Sequence, residues 1–182
     1  MSRHRVSDGY DVILFIRLRM PSVASRALDV VRAVARTFFP SRDAYARAFD
    51  RACACACVGW TALLLGEAFF TSERSRRITD VCVSACALAC SVGYAIVLAS
   101  VVCGAGDVDA TRASFSSLAG VEALFESSAA CCAGWIHYLA FDLYLGRALL
   151  KRERECGVPT VLRVCVTAPL TFVAGPVGYA WS

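Results

Sequence analysis

Four apolar segments, approximately Ala52–Phe70, Thr79–Cys103, Ser128–Leu150 and Pro159–Trp181, occupy most of the chain after its first 51 residues. Each is close to the roughly 20 residues that a helix needs to cross a bilayer. A chain of 182 residues that is 58% hydrophobic and 19% charged, with a mean hydropathy of +0.57, carries more apolar surface than an ordinary soluble domain can hide. The surplus must face lipid. The expected fold is therefore all-α, a polytopic membrane bundle of about four transmembrane helices over residues 52–182.

Charge supports that reading. Lys151 is the only lysine, so the net charge of +4 is an arginine charge gathered at the N-terminus and in short connections. Nucleic acid would need a basic face with reading elements, and only short basic clusters at the ends of apolar runs occur beyond residue 52, which excludes it as a partner. Eleven cysteines invite a metal or disulfide scheme. Yet most lie within or beside apolar segments, where cysteine behaves as a small hydrophobe. Cys82, Cys86 and Cys90 recur at every fourth position and line one helix face for close packing. No histidine or carboxylate joins that stripe and no CxxC pair exists, so no metal site is expected.

Residues 1–51 form a leader with Arg3, Arg5, Arg17, Arg19, Arg26, Arg32, Arg36, Arg42, Arg47 and Arg51. From Ser22 to Phe39 the spacing of Val23, Ala27, Val30, Val31 and Val34 predicts an amphipathic helix. It suits an organelle transit peptide or, alternatively, a surface helix retained in the mature protein; Asp8, Asp11, Asp29, Asp43 and Asp50 count against the former. The first connection carries Arg74, Arg76 and Arg77, and the third carries Arg147, Lys151, Arg152 and Arg154. The second holds Arg112 among Asp107, Asp109, Glu122 and Glu126. The positive-inside rule places the first and third connections on the cytosol-like side, with the basic leader arguing the other way. In the second connection Phe115, Leu118, Val121, Leu124 and Phe125 predict a short helix lying in the interface. Pro169 and Gly175-Pro176 predict a kinked or broken fourth helix whose freed carbonyls need partners. Glu67 and Asp80 read as interfacial anchors, and Trp60 and Trp181 as an aromatic belt.

His137 and Asp142 lie inside the third segment. A charge at mid-bilayer costs about 2.5–3.5 kcal/mol, so Asp142 is expected to be protonated or paired and His137 neutral. Placed at about 100° per residue, Ile136, Leu139, Ala140, Leu143 and Leu150 form an aliphatic stripe suited to lipid, and the remaining sector looks into the protein. Trp135, Asp142 and Gly146 mark one edge of that sector, His137 and Tyr144 the other, with Gly134, Tyr138, Phe141 and Leu145 between. The two ionisable groups are about 140° apart round the helix and do not bond each other directly. They either address one bound molecule from two sides or serve as interhelical glue partnered by Thr167, Thr171 or freed backbone.

The run Gly134-Trp135-Ile136-His137-Tyr138-Leu139-Ala140-Phe141-Asp142-Leu143-Tyr144-Leu145-Gly146-Arg147 resembles the W-x-H-x-L-A-F-D-L-x-x-G-R core of the neoxanthin-synthase-like family, named for an abscisic-acid-deficient plant mutant. Gly157-Val158-Pro159, then Pro169-Leu170-Thr171-Phe172 and Gly175-Pro176-Val177-Gly178, resemble its G-I-P and L-T-F-x-x-G-P-x-G elements in the same order. The likeness is closest from Ser114 onward. It implies a small four-span membrane protein, in plants of the plastid envelope or thylakoid membrane, required for converting violaxanthin to neoxanthin. The arginine-rich leader departs from bacterial members and fits organelle import. The sequence stops at Ser182, soon after Gly178, which makes the last helix shorter than the resemblance implies.

The implied reaction is an isomerisation in which an epoxide opens to a tertiary alcohol while a proton leaves the adjacent polyene carbon, giving an allene. It needs an acid and a base and no redox cofactor. Asp142 is expected to donate to the epoxide oxygen and His137 to remove the carbon-bound proton. Trp135, Tyr138, Phe141, Tyr144 and Thr171 would hold the carotenoid. Gly146, Arg147, Pro169, Gly175, Pro176 and Gly178 would shape the helices. The partners implied are the bilayer, the carotenoid and other xanthophyll enzymes. A second reading is a non-catalytic membrane protein that binds or presents a carotenoid or other lipid. A third is a small transporter, supported only by the broken fourth helix.

Overall fold

The computed structural model describes residues 29–30, 33–34, 36–39, 41–102, 107–109 and 111–181. Among them every regular element is helical: α1 (Arg42–Phe69), α2 (Glu73–Val102), α3 (Leu118–Phe125), α4 (Ser128–Glu155), α5 (Thr160–Val173) and α6 (Gly175–Trp181). Most of the leader, and with it the transit-peptide reading, lies outside the described residues. Within the predicted amphipathic stretch, residues 29–30, 33–34 and 36–38 are helical.

The first helix begins ten residues before the expected position, at Arg42. Arg42, Arg47 and Arg51 do not interrupt it, because arginine is a good helix former and all three remain exposed. Asp43 in the first turn complements the helix dipole. With 28 and 30 residues, α1 and α2 are long and apolar enough to cross a membrane. Helix α4 has 28 residues but carries His137, Asp142 and a charged last turn. The fourth segment is divided. Of the four expected spans, two therefore meet the length and apolarity that crossing demands among the described residues.

The described residues fall into two compact units, one of those within 29–46 and 95–133 and the other of residues 47–94 with 134–181. In the first, Tyr45 stacks on Phe39 with ring centroids 4.7 Å apart, and its hydroxyl shares a 3.1 Å hydrogen bond with buried Ser100. Asp107 accepts from the Ser127 hydroxyl at 2.6 Å and from the amides of Ser128 and Ala129 at 3.2 Å, which satisfies the open amides at the start of α4. The expected short helix forms as α3, capped by Ser117, whose hydroxyl accepts from the Gly120 amide. Phe115, Leu118 and Phe125 stand exposed around it.

In the second unit small residues bring the helices together. The thiols of Cys55 and Cys90 donate to the carbonyls of Cys86 and Ala52, so the cysteine face of α2 packs on α1 as its spacing predicts. A Cβ added at Gly59 would fall 2.9 Å from Leu143 of α4. The core is built from Ala56, Trp60, Leu63, Val83, Ala87, Ile136, Leu143 and Leu150.

The fourth segment is irregular where its prolines predict. Pro169 has no amide hydrogen and cannot close an ordinary turn. Arg163–Thr167 widens into a π turn just before it, and the Ala168 amide reaches back five residues to the Arg163 carbonyl. The helix then stops at Ala174, which leaves helical geometry at φ −152° and ψ 75°, before Gly175-Pro176 opens α6.

Candidate functional site

The third apolar helix buries the stripe that its sequence reading gave to lipid, and it keeps Asp142 and Gly146 buried as that reading expected. Ile136, Leu139, Ala140, Leu143 and Leu150, expected to meet lipid, are all buried, the most open of them at 7% exposure. Trp135, Phe141 and Tyr144, expected to line an interior, are 43–54% exposed. The physical reason lies in the surroundings. A helix with apolar side chains on opposite faces can put either of them against lipid, and here the branched side chains are the ones that fill the hollows at Gly59 and Gly93. His137 turns outward with the aromatic residues. Its ring lies 4.9 Å from that of Tyr94 on α2 and 6.5 Å from that of Phe141. Trp135 and Tyr138 continue that face, with Phe49 of α1 stacked on Trp135 at 5.7 Å.

Asp142 turns inward and is 2% exposed. It stands at the break between α5 and α6, where a Cβ added at Gly175 would lie 2.9 Å from its Oδ1. Its other oxygen, Oδ2, is buried without a hydrogen-bond partner. The same break releases the carbonyls of Phe172 and Val173, and the Tyr138 hydroxyl donates to them at 3.0 and 3.4 Å. Tyr138 also adjoins the Asp142 carboxyl. The structure thus gathers Asp142, Tyr138, Phe172, Val173 and Gly175 and leaves His137 on a different side of α4. Neither Thr167 nor Thr171 holds Asp142. The Thr171 hydroxyl donates to the Thr167 carbonyl at 2.7 Å, and the Thr167 hydroxyl donates to Glu153 at 2.8 Å.

The remaining motif residues have structural places. A Cβ at Gly146 would meet Trp60 at 2.5 Å, and one at Gly178 would meet the Thr171 backbone at 2.7 Å. Arg147 pairs with Asp80 at 3.3 Å across α4 and α2. Pro169 and Pro176 set the two irregularities of the last segment.

Two expectations for single residues, Glu67 and Trp60, are corrected. Glu67 is no interfacial anchor: its carboxylate is buried and held by Arg154 and by Arg163, the latter at 3.1 Å. Asp80 is engaged with Arg147. Trp60 is 5% exposed and packs edge-on against Phe172, with ring centroids 5.4 Å apart, so it belongs to the core and not to a belt. Sequence reading also passed over Glu153, whose Oε2 is buried and unpartnered. Its partner, Thr167, closes a π turn, and Pro169 was the available signal that such a turn would form. Among the described residues no three of His, Cys, Asp and Glu gather as a metal site.

Among the described residues the fold and site define an all-helical protein with two helices fit to cross a membrane and an incompletely partnered carboxyl buried at the break of its last segment. The chain belongs to the ABA DEFICIENT 4-like family, whose model matches residues 47–181. Membership implies a role in the abscisic acid and xanthophyll pathway. Neither a curated protein nor a solved structure matches the chain.

Proposed function

We propose that this protein is embedded in a plastid membrane, of the envelope or the thylakoid, and there converts violaxanthin to neoxanthin, with Asp142 as the acid that engages the epoxide oxygen. The observation that carries this reading is the unpartnered Oδ2 of a carboxyl that is 2% exposed. An ionisable group left half-satisfied in an apolar interior is costly, and a ligand oxygen would complete it. Family membership supplies the pathway, and the two apolar helices supply support for the membrane.

A neutral carboxyl can serve both halves of this isomerisation. One oxygen gives its proton to the epoxide oxygen as the bond from that oxygen to the polyene-bearing ring carbon breaks. The other oxygen takes the proton from the adjacent polyene carbon, whose electron pair forms the new double bond of the allene. Asp142 ends protonated as it began, and the substrate gains and loses one proton. His137, exposed beside Tyr94 and Phe141, then contacts the polyene together with Trp135 and Tyr144.

Expression of wild type, Asp142→Asn and His137→Ala in a violaxanthin-making host, with neoxanthin measured against protein abundance, tests this. Loss in Asp142→Asn with most of the yield kept in His137→Ala is the expected result. Unchanged yield from Asp142→Asn overturns the assignment, and loss in both variants restores His137 as the base. The exposed aromatic face of α4 favours one second reading, a protein that holds a carotenoid for another enzyme. Purified protein that retains pigment but isomerises it only with a partner present would decide for that reading.

A further inference from the structure

Helices α1 and α2 meet closely at their cysteines. A Cβ added at Gly59 of α1 would fall 3.1 Å from the Cβ of Cys86 on α2. One turn from Gly59, the Cys55 thiol donates to the Cys86 carbonyl at 3.6 Å, and the Cys90 thiol donates to the Ala52 carbonyl at 3.8 Å. The Cys55 thiol adjoins those of both Cys86 and Cys90, and all three are free. We propose that Cys55 and the Cys86–Cys90 pair are an oxidative modification site, at which a lipid-soluble quinone joins α1 to α2 through a disulfide. The site is separate from Asp142 and does not depend on its role.

The placement is what a disulfide between helices requires. Its two Cβ atoms must come within roughly 3.5–4.5 Å, and the glycine at position 59 lets the backbones approach to that range. As α1 runs from Ala52 to Gly59, its partners run back along α2 from Cys90 to Cys86, so Cys55 lies level with the pair. Close packing alone does not call for sulfur on both sides, since alanine or glycine serves it equally. The neighbouring thiols of α1 have other surroundings: Cys53 accepts from the Trp135 indole N–H at 3.3 Å, and Cys57 is exposed.

Two S–H bonds break and one S–S bond forms. The two electrons and two protons pass to the quinone, which leaves as hydroquinone. The surroundings select an oxidant of that class. Residues 52–66 of α1 and 81–102 of α2 contain no charged side chain, and Val58, Leu88 and Val92 on the same two helices are 50–58% exposed. Cys55 and Cys86 are themselves half-buried, so an apolar molecule in the bilayer can reach them. A charged oxidant such as glutathione disulfide would have to enter that apolar zone at a cost that a neutral quinone escapes. Because Leu143 of α4 also packs on Gly59, the bond would fix the hollow into which α4 fits.

The test uses the full-length protein in phosphatidylcholine vesicles, treated with duroquinone and then with N-ethylmaleimide to block the remaining thiols. Trypsin, cutting after Arg51, Arg74, Arg77 and Arg112, releases peptides 52–74 of α1 and 78–112 of α2, which stay joined only through a disulfide. We expect mass spectrometry to find the joined pair in wild type and in Cys57→Ser, and to find it lost in Cys55→Ser and in the double variant Cys86→Ser with Cys90→Ser. Cys55 and Cys86 are 31 residues apart, so the closed loop should raise the unfolding temperature by roughly 5–10 °C over the reduced protein. Glutathione disulfide in place of the quinone should yield less than about a tenth of the joined peptide, reflecting the cost of bringing its charges into the apolar zone. Absence of the joined pair in wild type, its persistence in Cys55→Ser, or an equal yield from glutathione disulfide overturns the proposal. If Cys55→Ser fails to fold, fragmentation of the joined wild-type peptides decides. A bond at Cys55 supports the site, and a bond at Cys53 or Cys57 overturns it.

Discussion

Gly175 meets Asp142 so closely that a Cβ at the glycine would lie 2.9 Å from the carboxyl oxygen Oδ1 and 3.4 Å from Leu145 Cδ2. The glycine that opens α6 thereby admits the one carboxyl buried at the break, and the helix interruption and the candidate site are the same feature. Gly175→Ala should destabilise the protein by about 1–3 kcal/mol through overpacking and should displace Asp142. Thermal unfolding in detergent measures the first effect. Neoxanthin yield per folded protein measures the second, and it should fall further than the stability loss accounts for.

Tyr138 caps the carbonyls that the break exposes. Tyr138→Phe keeps the ring and leaves Phe172 and Val173 with unmet acceptors, at a cost of about 1–3 kcal/mol. Hydrogen exchange should rise at residues 170–178 and stay unchanged in α2. Uniform change across the second unit would contradict the local role.

Glu67 binds two arginines contributed from 87 and 96 residues further along the chain, and its side chain is 5% exposed. Glu67→Ala leaves Arg154 and Arg163 without their shared anion and should cost about 3–5 kcal/mol. The Glu73–Arg77 pair, nearly four-fifths exposed on both sides, is a contrast of the same chemistry, and Glu73→Ala should change stability by less than about 1 kcal/mol. Unfolding midpoints of the two variants compare them directly.

Asp107 gives a pH dependence. Partial burial pushes its carboxyl up, but the Ser127 hydroxyl and the amides of Ala129 and Ser128 outweigh this and hold it below its ordinary value of 3.8. A carboxyl depressed in the folded state contributes stability that is present above its unfolded value and is lost as pH falls through the folded one. Asp107→Asn should therefore melt lower than wild type at pH 6, and the gap should close below about pH 4. A gap that is constant from pH 6 to pH 3 would show that capping geometry, and not charge, carries the effect.

Much of this was legible in the chain. Pro169 and Gly175-Pro176 announce the irregular last segment because a missing amide and a following proline ring disrupt the helical ladder wherever they occur. Leu118, Val121, Leu124 and Phe125 announce α3 by their spacing. The motif from Trp135 to Arg147 announces the family. The direction in which α4 faces was not legible. A wheel locates an apolar stripe but cannot distinguish protein from lipid as its neighbour, since neither offers a polar contrast. Trp60 and Glu67 were misread for a related reason: position near a helix end suggests an interface, and only partners remote in sequence reveal burial.

The amino-acid sequence by itself determined that the chain is helical, where its last segment breaks, and which family it belongs to, because these depend on local backbone chemistry and on the order of motif residues. Tertiary structure decided that Asp142 looks inward while His137 looks out, and that Trp60 is buried against Gly146 and Phe172. Those outcomes depend on which side chains fill the hollows left by Gly59, Gly93, Gly146 and Gly175. That is a matter of close packing between segments far apart in the chain, and no local pattern encodes it.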